Sequence, residues 1–234
     1  MNMYRIFSSF FVAICILFFS VSAFAQEDIY DPLEPMNRVI FDFNDTVDTY
    51  AVKPIAQAYD FVTPDPVQKG VRNFFKNLGF PVYFISDLVQ LNFENCTKHT
   101  ARFFLNTVVG VGGIFDVAGE YGLEHRYQDI GSALASWGVP AGPYLVLPFL
   151  GPSTVRELFG RAGDTFIYPT TYLEYDSSVS SKNRFWFGRV PTIIELIQLR
   201  ADLIPIIEEG KSMSVDFYSF AQNTYYQRRK SLNN

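Results

Sequence analysis

Met36-Asn37-Arg38-Val39-Ile40-Phe41-Asp42-Phe43-Asn44-Asp45-Thr46-Val47-Asp48-Thr49-Tyr50 decides how this chain folds. The apolar residues Met36, Ile40, Phe43, Val47 and Tyr50 stand four, three, four and three positions apart, the repeat of an α-helix and not of a strand. Asn37, Asp42, Asn44, Asp45 and Asp48 fall between them, so the spacing predicts an amphipathic helix.

The same period recurs towards the C-terminus. Thr63-Pro64-Asp65-Pro66 predicts a helix start with Asp65 as N-cap and Pro66 in the first turn, followed by a face of Val67, Val71, Phe74, Phe75 and Leu78. Gly79 and Pro81 end that helix and open one with Val82, Ile85, Leu88 and Val89. Another is expected from Glu94 to Val109, with Cys96, Thr100, Phe103, Phe104, Thr107 and Val108 on its apolar side, broken by Gly110, Gly112 and Gly113. Two helices close the chain, one holding Ile193, Ile194, Ile197 and Ile204, the other Val215, Tyr218 and Tyr225. Between them and a helix expected from Ser153, its N-cap, residues 166–188 read as irregular and aromatic-rich. Arg228-Arg229-Lys230 reads as a solvated end. The fold class is therefore mainly α, with no internal repeat.

Gly131 to Gly151 departs from this pattern. Ser132 to Trp137 fits a helix, but Gly138-Val139-Pro140-Ala141-Gly142-Pro143 cannot continue one. Tyr144-Leu145-Val146-Leu147-Pro148-Phe149-Leu150 is then apolar, uncharged and without alternation. Two readings stand: a buried strand, or a loop lining an apolar passage.

The N-terminus reads as a cleavable signal peptide over residues 1–25: Arg5 as its only charge, an apolar run from Ile6 to about Phe19, and Ala23 and Ala25 at the cleavage site. A lipoprotein signal needs a cysteine after a small residue at the end of that run; Cys15 follows Ile14 inside it. The mature chain is expected to start at Gln26 as a single domain, residues 26–234, with Cys96 as its sole cysteine and no internal disulfide. Removing the signal takes away one Arg and no acid, so the formal charge of −5 becomes −6, which argues against nucleic acid as partner. The 24 Phe and 14 Tyr exceed what a core of this size absorbs, and such residues also cover interfaces and membrane boundaries. No second apolar run is long enough to span a bilayer as one helix.

Catalytic and metal-binding patterns are weak. His99 and His125 have no nucleophile at recognisable spacing, and His125 with Asp129 reads as a solvated i,i+4 contact. Two histidines and one cysteine make a poor metal site, so no metal or other cofactor is expected. Gly110-Val111-Gly112-Gly113 follows a helical period and lacks the strand that a nucleotide loop requires. The chain is not expected to be an enzyme, although carboxylates distant in sequence leave an exported hydrolase open.

Three motifs in order carry a family resemblance. They are Asp31-Pro32-Leu33-Glu34-Pro35-Met36-Asn37-Arg38 running into Phe41-Asp42-Phe43-Asn44, then Arg102-Phe103-Phe104-Leu105-Asn106-Thr107 with Gly110-Val111-Gly112-Gly113-Ile114-Phe115-Asp116-Val117-Ala118, then Gly138-Val139-Pro140-Ala141-Gly142-Pro143-Tyr144-Leu145-Val146-Leu147-Pro148-Phe149. Over nearly all of the mature chain it resembles the MlaA (VacJ) family of outer-membrane phospholipid-transport proteins. The resemblance implies a ring-shaped bundle of amphipathic helices seated in one leaflet of the outer membrane, around an amphipathic channel. Phospholipids misplaced in the outer leaflet would pass through it to a soluble periplasmic carrier, MlaC, and trimeric porins would be partners. Many relatives are tethered through a modified cysteine; Gln26 offers none, so attachment is expected to rest on the helices and on a porin.

By match to the third motif, a gate or channel-lining role falls to Gly138, Gly142, Pro143, Tyr144, Leu145 and Leu147, against the alternative of a buried packing loop. A bulky polar residue at Gly142 or Leu147 is expected to disturb lipid passage and leave the fold intact. Asn37, Phe43, Asn44, Phe103 and Asn106 would be channel-lining or structural; structure is favoured, since helices with Phe on one face usually bury it. Phe185, Trp186 and Phe187 would anchor the protein at head-group level. A scaffold that docks porins without moving lipid is the competing function.

Overall fold

The computed structural model describes residues 30–175 and 180–233; the expected signal peptide, its cleavage site and Gln26 lie outside them. Helix α1 (Glu34–Val47) runs through a π-helical turn (Asp48–Val52) into α2 (Lys53–Val62). Then come α3 (Asp65–Leu78), α4 (Phe80–Val89), α5 (Phe93–Val108), the short α6 (Val117–Glu120) and α7 (Ile130–Ser136). A hairpin of β1 (Tyr144–Leu147) and β2 (Gly151–Thr154) precedes α8 (Val155–Ile167). The chain continues through α9 (Pro169–Tyr175), α10 (Ser181–Arg184), a second π-helical turn (Phe185–Arg189), α11 (Val190–Asp202), α12 (Ile204–Met213) and α13 (Phe217–Asn233).

Proline sets much of this segmentation. Helices α1, α2, α3, α4, α11 and α12 each carry a proline in their first two positions, where its missing N–H costs no hydrogen bond and its fixed φ suits the first turn. Side-chain caps mark others: Asn92 accepts from the Asn95 amide, Asp129 from Ser132 and Thr154 from Glu157. Two expected caps move by one residue. Asp65 is the first helical residue behind Pro64, and Thr154, not Ser153, caps α8, because the ladder runs one residue further to Thr154, whose side chain accepts from the Glu157 amide. Residues 166–175 and 180–188 are also largely helical rather than irregular; the aromatic run hides a proline start at Pro169.

Several helices turn polar faces inward and apolar faces outward. In α5 the interior side chains are Asn95, Cys96, His99, Arg102 and Asn106, while Phe104 and Val108, expected inside, are exposed. In α1 the buried residue is Asn37, and Met36 and Phe43, with Tyr50 of the π-turn, face outward. Among the described residues, eighteen buried side chains are polar or charged and ten are apolar. Phe61, 90% exposed, and Phe166, 73% exposed, show the other side of this inversion. Water-soluble domains bury apolar groups because water rejects them; a lipid leaflet does not, and what then drives packing is satisfaction of polar groups. No helix among the described residues is long and apolar enough to cross a membrane.

Several interior acids are paired with arginine. Arg229 of α13 binds Asp129 (2.6 Å) and also the Glu157 carboxylate, joining α13 to the start of α7 and to α8. In the tail, Arg228 and Lys230 are exposed as expected, but Arg229 turns inward, and Asp129 is no surface partner of His125. Helices α7 and α8 cross at backbone contact there: a Cβ on Gly160 would come 2.5 Å from the Gly131 nitrogen. Arg200 of α11 forks onto Asp48 in the first π-turn at 2.6 and 2.7 Å.

Candidate functional site

The hairpin is the only sheet among the described residues. Its strands pair antiparallel, Tyr144 opposite Thr154 through Leu147 opposite Gly151. The segment expected to be irregular is so only up to Pro143. Although every residue of β1 is apolar, its burial alternates: Tyr144 and Val146 are buried, Leu145 and Leu147 half-buried. The Tyr144 ring meets those of Tyr218, Tyr225 and Tyr226 at 6.1, 5.9 and 5.9 Å, so α13 backs this strand.

Helix α1 holds the other edge of β1. The Asn37 amide donates to the Tyr144 carbonyl (3.0 Å) and accepts from the Val146 amide (2.9 Å), as a third strand would. Seven residues on, two helical turns along the same face, Asn44 donates to the Leu147 carbonyl (2.9 Å) and accepts from the Phe149 amide (2.8 Å). Asp31 fixes Asn37 in turn, accepting from its Nδ2 (2.8 Å), from Gln222 (2.8 Å) and from the Tyr218 hydroxyl. The first and third motifs thus meet in one hydrogen-bonded unit closed by α13.

Beyond the clamp, Phe149 and Leu150 at the hairpin tip are 75% and 60% exposed. Phe149 has φ +64°, and its ring meets the exposed Phe43 edge-on at 5.4 Å. Phe43 is therefore an outward partner of the hairpin tip and not core. Of the residues assigned to a gate, Gly138 is exposed, Gly142, Pro143, Leu145 and Leu147 are half-buried, and Tyr144 is core. Gly142 has φ +71°, and a Cβ there would sit 3.1 Å from Val155, so any replacement also strains the backbone. Sequence reasoning passed over Phe149 and Leu150, whose exposure the hairpin turn determines.

The second motif closes on itself. Asn106 donates to Asp116 (2.9 Å) and accepts from the Ala118 amide (2.8 Å), while Arg102 binds the same Asp116 carboxylate (2.7 Å). These bonds outweigh the desolvation that would raise Asp116, and hold its carboxyl below the usual range. Phe103 stacks on Phe80 at 4.4 Å, joining α5 to α4. Phe185, Trp186 and Phe187 lie in the second π-turn, each about half exposed, with Phe185 edge-on to Trp186 at 5.8 Å.

Neither histidine is set up as a base. The Nε2 of His99 lies 2.9 Å from the Arg126 carbonyl, which only accepts, and Nδ1 lies 2.6 Å from Asp87; both nitrogens are thereby engaged in a buried pair. Desolvation, with Arg102 and Lys76 nearby, lowers His125 to about 4, so it is neutral at pH 7.

A mainly helical bundle that buries its polar groups, exposes its apolar ones and pins a hairpin against its first helix is a protein seated in one leaflet of a membrane. The chain belongs to the MlaA lipoprotein family, whose profile matches residues 29–232. It is 34% identical to the intermembrane phospholipid transport system lipoprotein MlaA of Escherichia coli (strain K12), over 89% of this chain and 80% of that one. It is 42% identical to an uncharacterized protein of Rickettsia conorii over 56% of this chain; the match spans about half, 52%, of that relative's length. A solved structure described as the structural basis for maintenance of bacterial outer membrane lipid asymmetry superposes with a TM-score of 0.73 at 33% identity, covering 87% of this chain and 99% of that one.

Proposed function

We propose that this protein moves phospholipid out of the outer leaflet of the outer membrane, through its polar interior, to a soluble periplasmic carrier of the MlaC type. The observation that carries this reading is the inverted packing, in which apolar surface faces outward for acyl chains and polar groups face inward for a head group. The clamped hairpin supplies a gate: Leu145 and Leu147 lie on the face of β1 opposite the tyrosine core, and Phe149 and Leu150 extend past it. Phe185, Trp186 and Phe187 anchor the head-group level. A trimeric porin is the proposed outer-membrane partner, and attachment rests on the helices and on that porin. The family's lipoprotein name makes the mature terminus a direct check: intact mass should place Gln26 first and unacylated, and an acylated terminus would overturn this.

The test uses the full chain in bilayer nanodiscs with labelled phospholipid and an acceptor protein. Wild type should retain lipid and pass it on, and Leu147→Arg should slow transfer with an unchanged far-UV spectrum. A protein that holds no lipid is a scaffold for porins. Unchanged transfer in Leu147→Arg removes the gate role from the hairpin.

A further inference from the structure

A cavity of about 270 Å³ opens between the start of α5 and the loop over residues 122–126, lined by Asn95, Lys98, His99, Leu123, Glu124 and Arg126. None of the residues assigned to the gate lines it. Asn95, Lys98 and His99 stand at i, i+3 and i+4 and so share one face of α5. Opposite them the loop turns at Gly122, φ +78°, where a Cβ would meet nothing within 4 Å. His99 ties loop to helix: its Nε2 lies 2.9 Å from the Arg126 carbonyl, and its Nδ1 lies 2.6 Å from Asp87. Both ring nitrogens are engaged by the protein, so His99 fixes the wall and leaves the contents to its neighbours.

Three polar side chains remain for those contents. Asn95 is 9% exposed, and its buried Nδ2 has no hydrogen-bond partner. An amide nitrogen held out of water without an acceptor is unfavourable, and an acceptor brought into the cavity would offset that. Arg126 is exposed and forms no ion pair among the described residues. Lys98 is half-exposed and pairs with Glu94 one turn back at 2.6 Å, a surface i,i+4 contact weak enough to yield to a better partner.

The lining acid, Glu124, is exposed and pairs with neither cation. Two cations against one acid, with an orphan amide donor, fit an anion and not a cation. The donors come from the helix on one side and the loop on the other. That arrangement suits a tetrahedral phosphate, which accepts in several directions, better than a planar carboxylate.

We infer that this cavity binds a phosphate group, with Asn95, Lys98 and Arg126 as its donors. The phosphate is that of a phospholipid head group or of a soluble phosphate ester. In the first case the site rests on the transport reading above and adds a head-group station to it.

The test titrates the full chain, purified in alkyl maltoside so that no other phosphate is present, with dihexanoyl phosphatidylethanolamine, glycerol 3-phosphate and dihexanoylglycerol, and reads affinity by calorimetry. At least one phosphate probe should bind, at least about tenfold more tightly than dihexanoylglycerol. Asn95→Leu and Arg126→Gln should each weaken it about tenfold, and Glu124→Gln should tighten it. Because the Asn95 Nδ2 has no partner, Asn95→Leu should not lower the melting temperature of the ligand-free protein. If that variant misfolds, Arg126→Gln, on an exposed side chain without an ion pair, decides the matter. Binding of phosphatidylethanolamine alone assigns the lipid head group, and equal binding of glycerol 3-phosphate assigns the soluble ester. Phosphate affinity unchanged in the folded variants, or no preference over dihexanoylglycerol, overturns the site and leaves transport standing. Variant-sensitive binding of glycerol 3-phosphate by a protein that moves no lipid keeps the site and overturns transport.

Discussion

Replacing Asn37 with alanine tests whether α1 holds the hairpin in place. Asn37 is fully buried and serves three partners: Asp31, the Tyr144 carbonyl and the Val146 amide. Alanine removes all three bonds and admits no replacement, because Tyr144 is 0% and Val146 2% exposed. Each buried backbone group left unpaired costs about 1–3 kcal/mol, so two of them amount to roughly 2–6 kcal/mol. For a chain of this size, at about 2–4 °C per kcal/mol, the melting temperature should fall by roughly 4–24 °C. The more specific readout is amide exchange: the Val146 N–H should be protected in wild type and exchange far faster in Asn37→Ala. Asn37→Asp should be at least as damaging, since its carboxylate would face both the Asp31 carboxylate and the Tyr144 carbonyl. A small melting shift with Val146 still protected would show that the β1 edge is held by something other than this amide.

Asn44→Ala should cost less, about 1 kcal/mol, because Leu147 and Phe149 are reachable by water; exchange at the Phe149 amide, not global melting, should report it. Arg229→Met should leave the buried Asp129 without its cation, while Glu157 keeps Arg156 at 3.0 Å, and destabilise by about 3–5 kcal/mol, measured by denaturant unfolding in detergent. Desolvation raises Asp129, but Arg229 and the Ser132 amide outweigh it and hold its carboxyl below the unfolded value. The stability from Asp129 is therefore complete above its unfolded pKa, about 4, and lost as the pH falls through the lower folded one, an acid loss that Arg229→Met should lack. Asp164 has the opposite sign: raised to about 7 by desolvation, it binds its proton more tightly when folded, so stability should fall as the pH rises from about 4 to about 7. Melting curves across that range should show the decline in wild type and a flatter profile in Asp164→Asn.

The sequence by itself determined that the chain is helical and where its first helices break; the closing helix expected to hold Ile193 through Ile204 is instead two, α11 and α12, parted at Leu203. The Met36 to Tyr50 spacing and the expected Glu94 to Val109 helix correspond to α1 with its π-turn and to α5 within one or two residues at most ends. Prolines and glycines act locally, so their effects on helix ends are readable from the chain. The three motifs also carried the family. The change of character at Gly138 was legible, and so was the strand reading of Tyr144 to Leu147, one of two that the residues allowed.

Only the tertiary structure decided which side of each helix faces in. Helical spacing defines an apolar face but not the medium that the face meets, so Phe43, Phe104 and Val108 are compatible with a core in water or with a surface in lipid. Partners far apart in sequence were equally hidden. Asn37 and Asn44 read as polar positions on an amphipathic helix, yet they bond backbone more than a hundred residues away, and Arg229 binds acids 100 and 72 residues earlier. Such bonds exist because those groups are removed from water together, and that depends on the packing of the whole bundle and not on any local pattern.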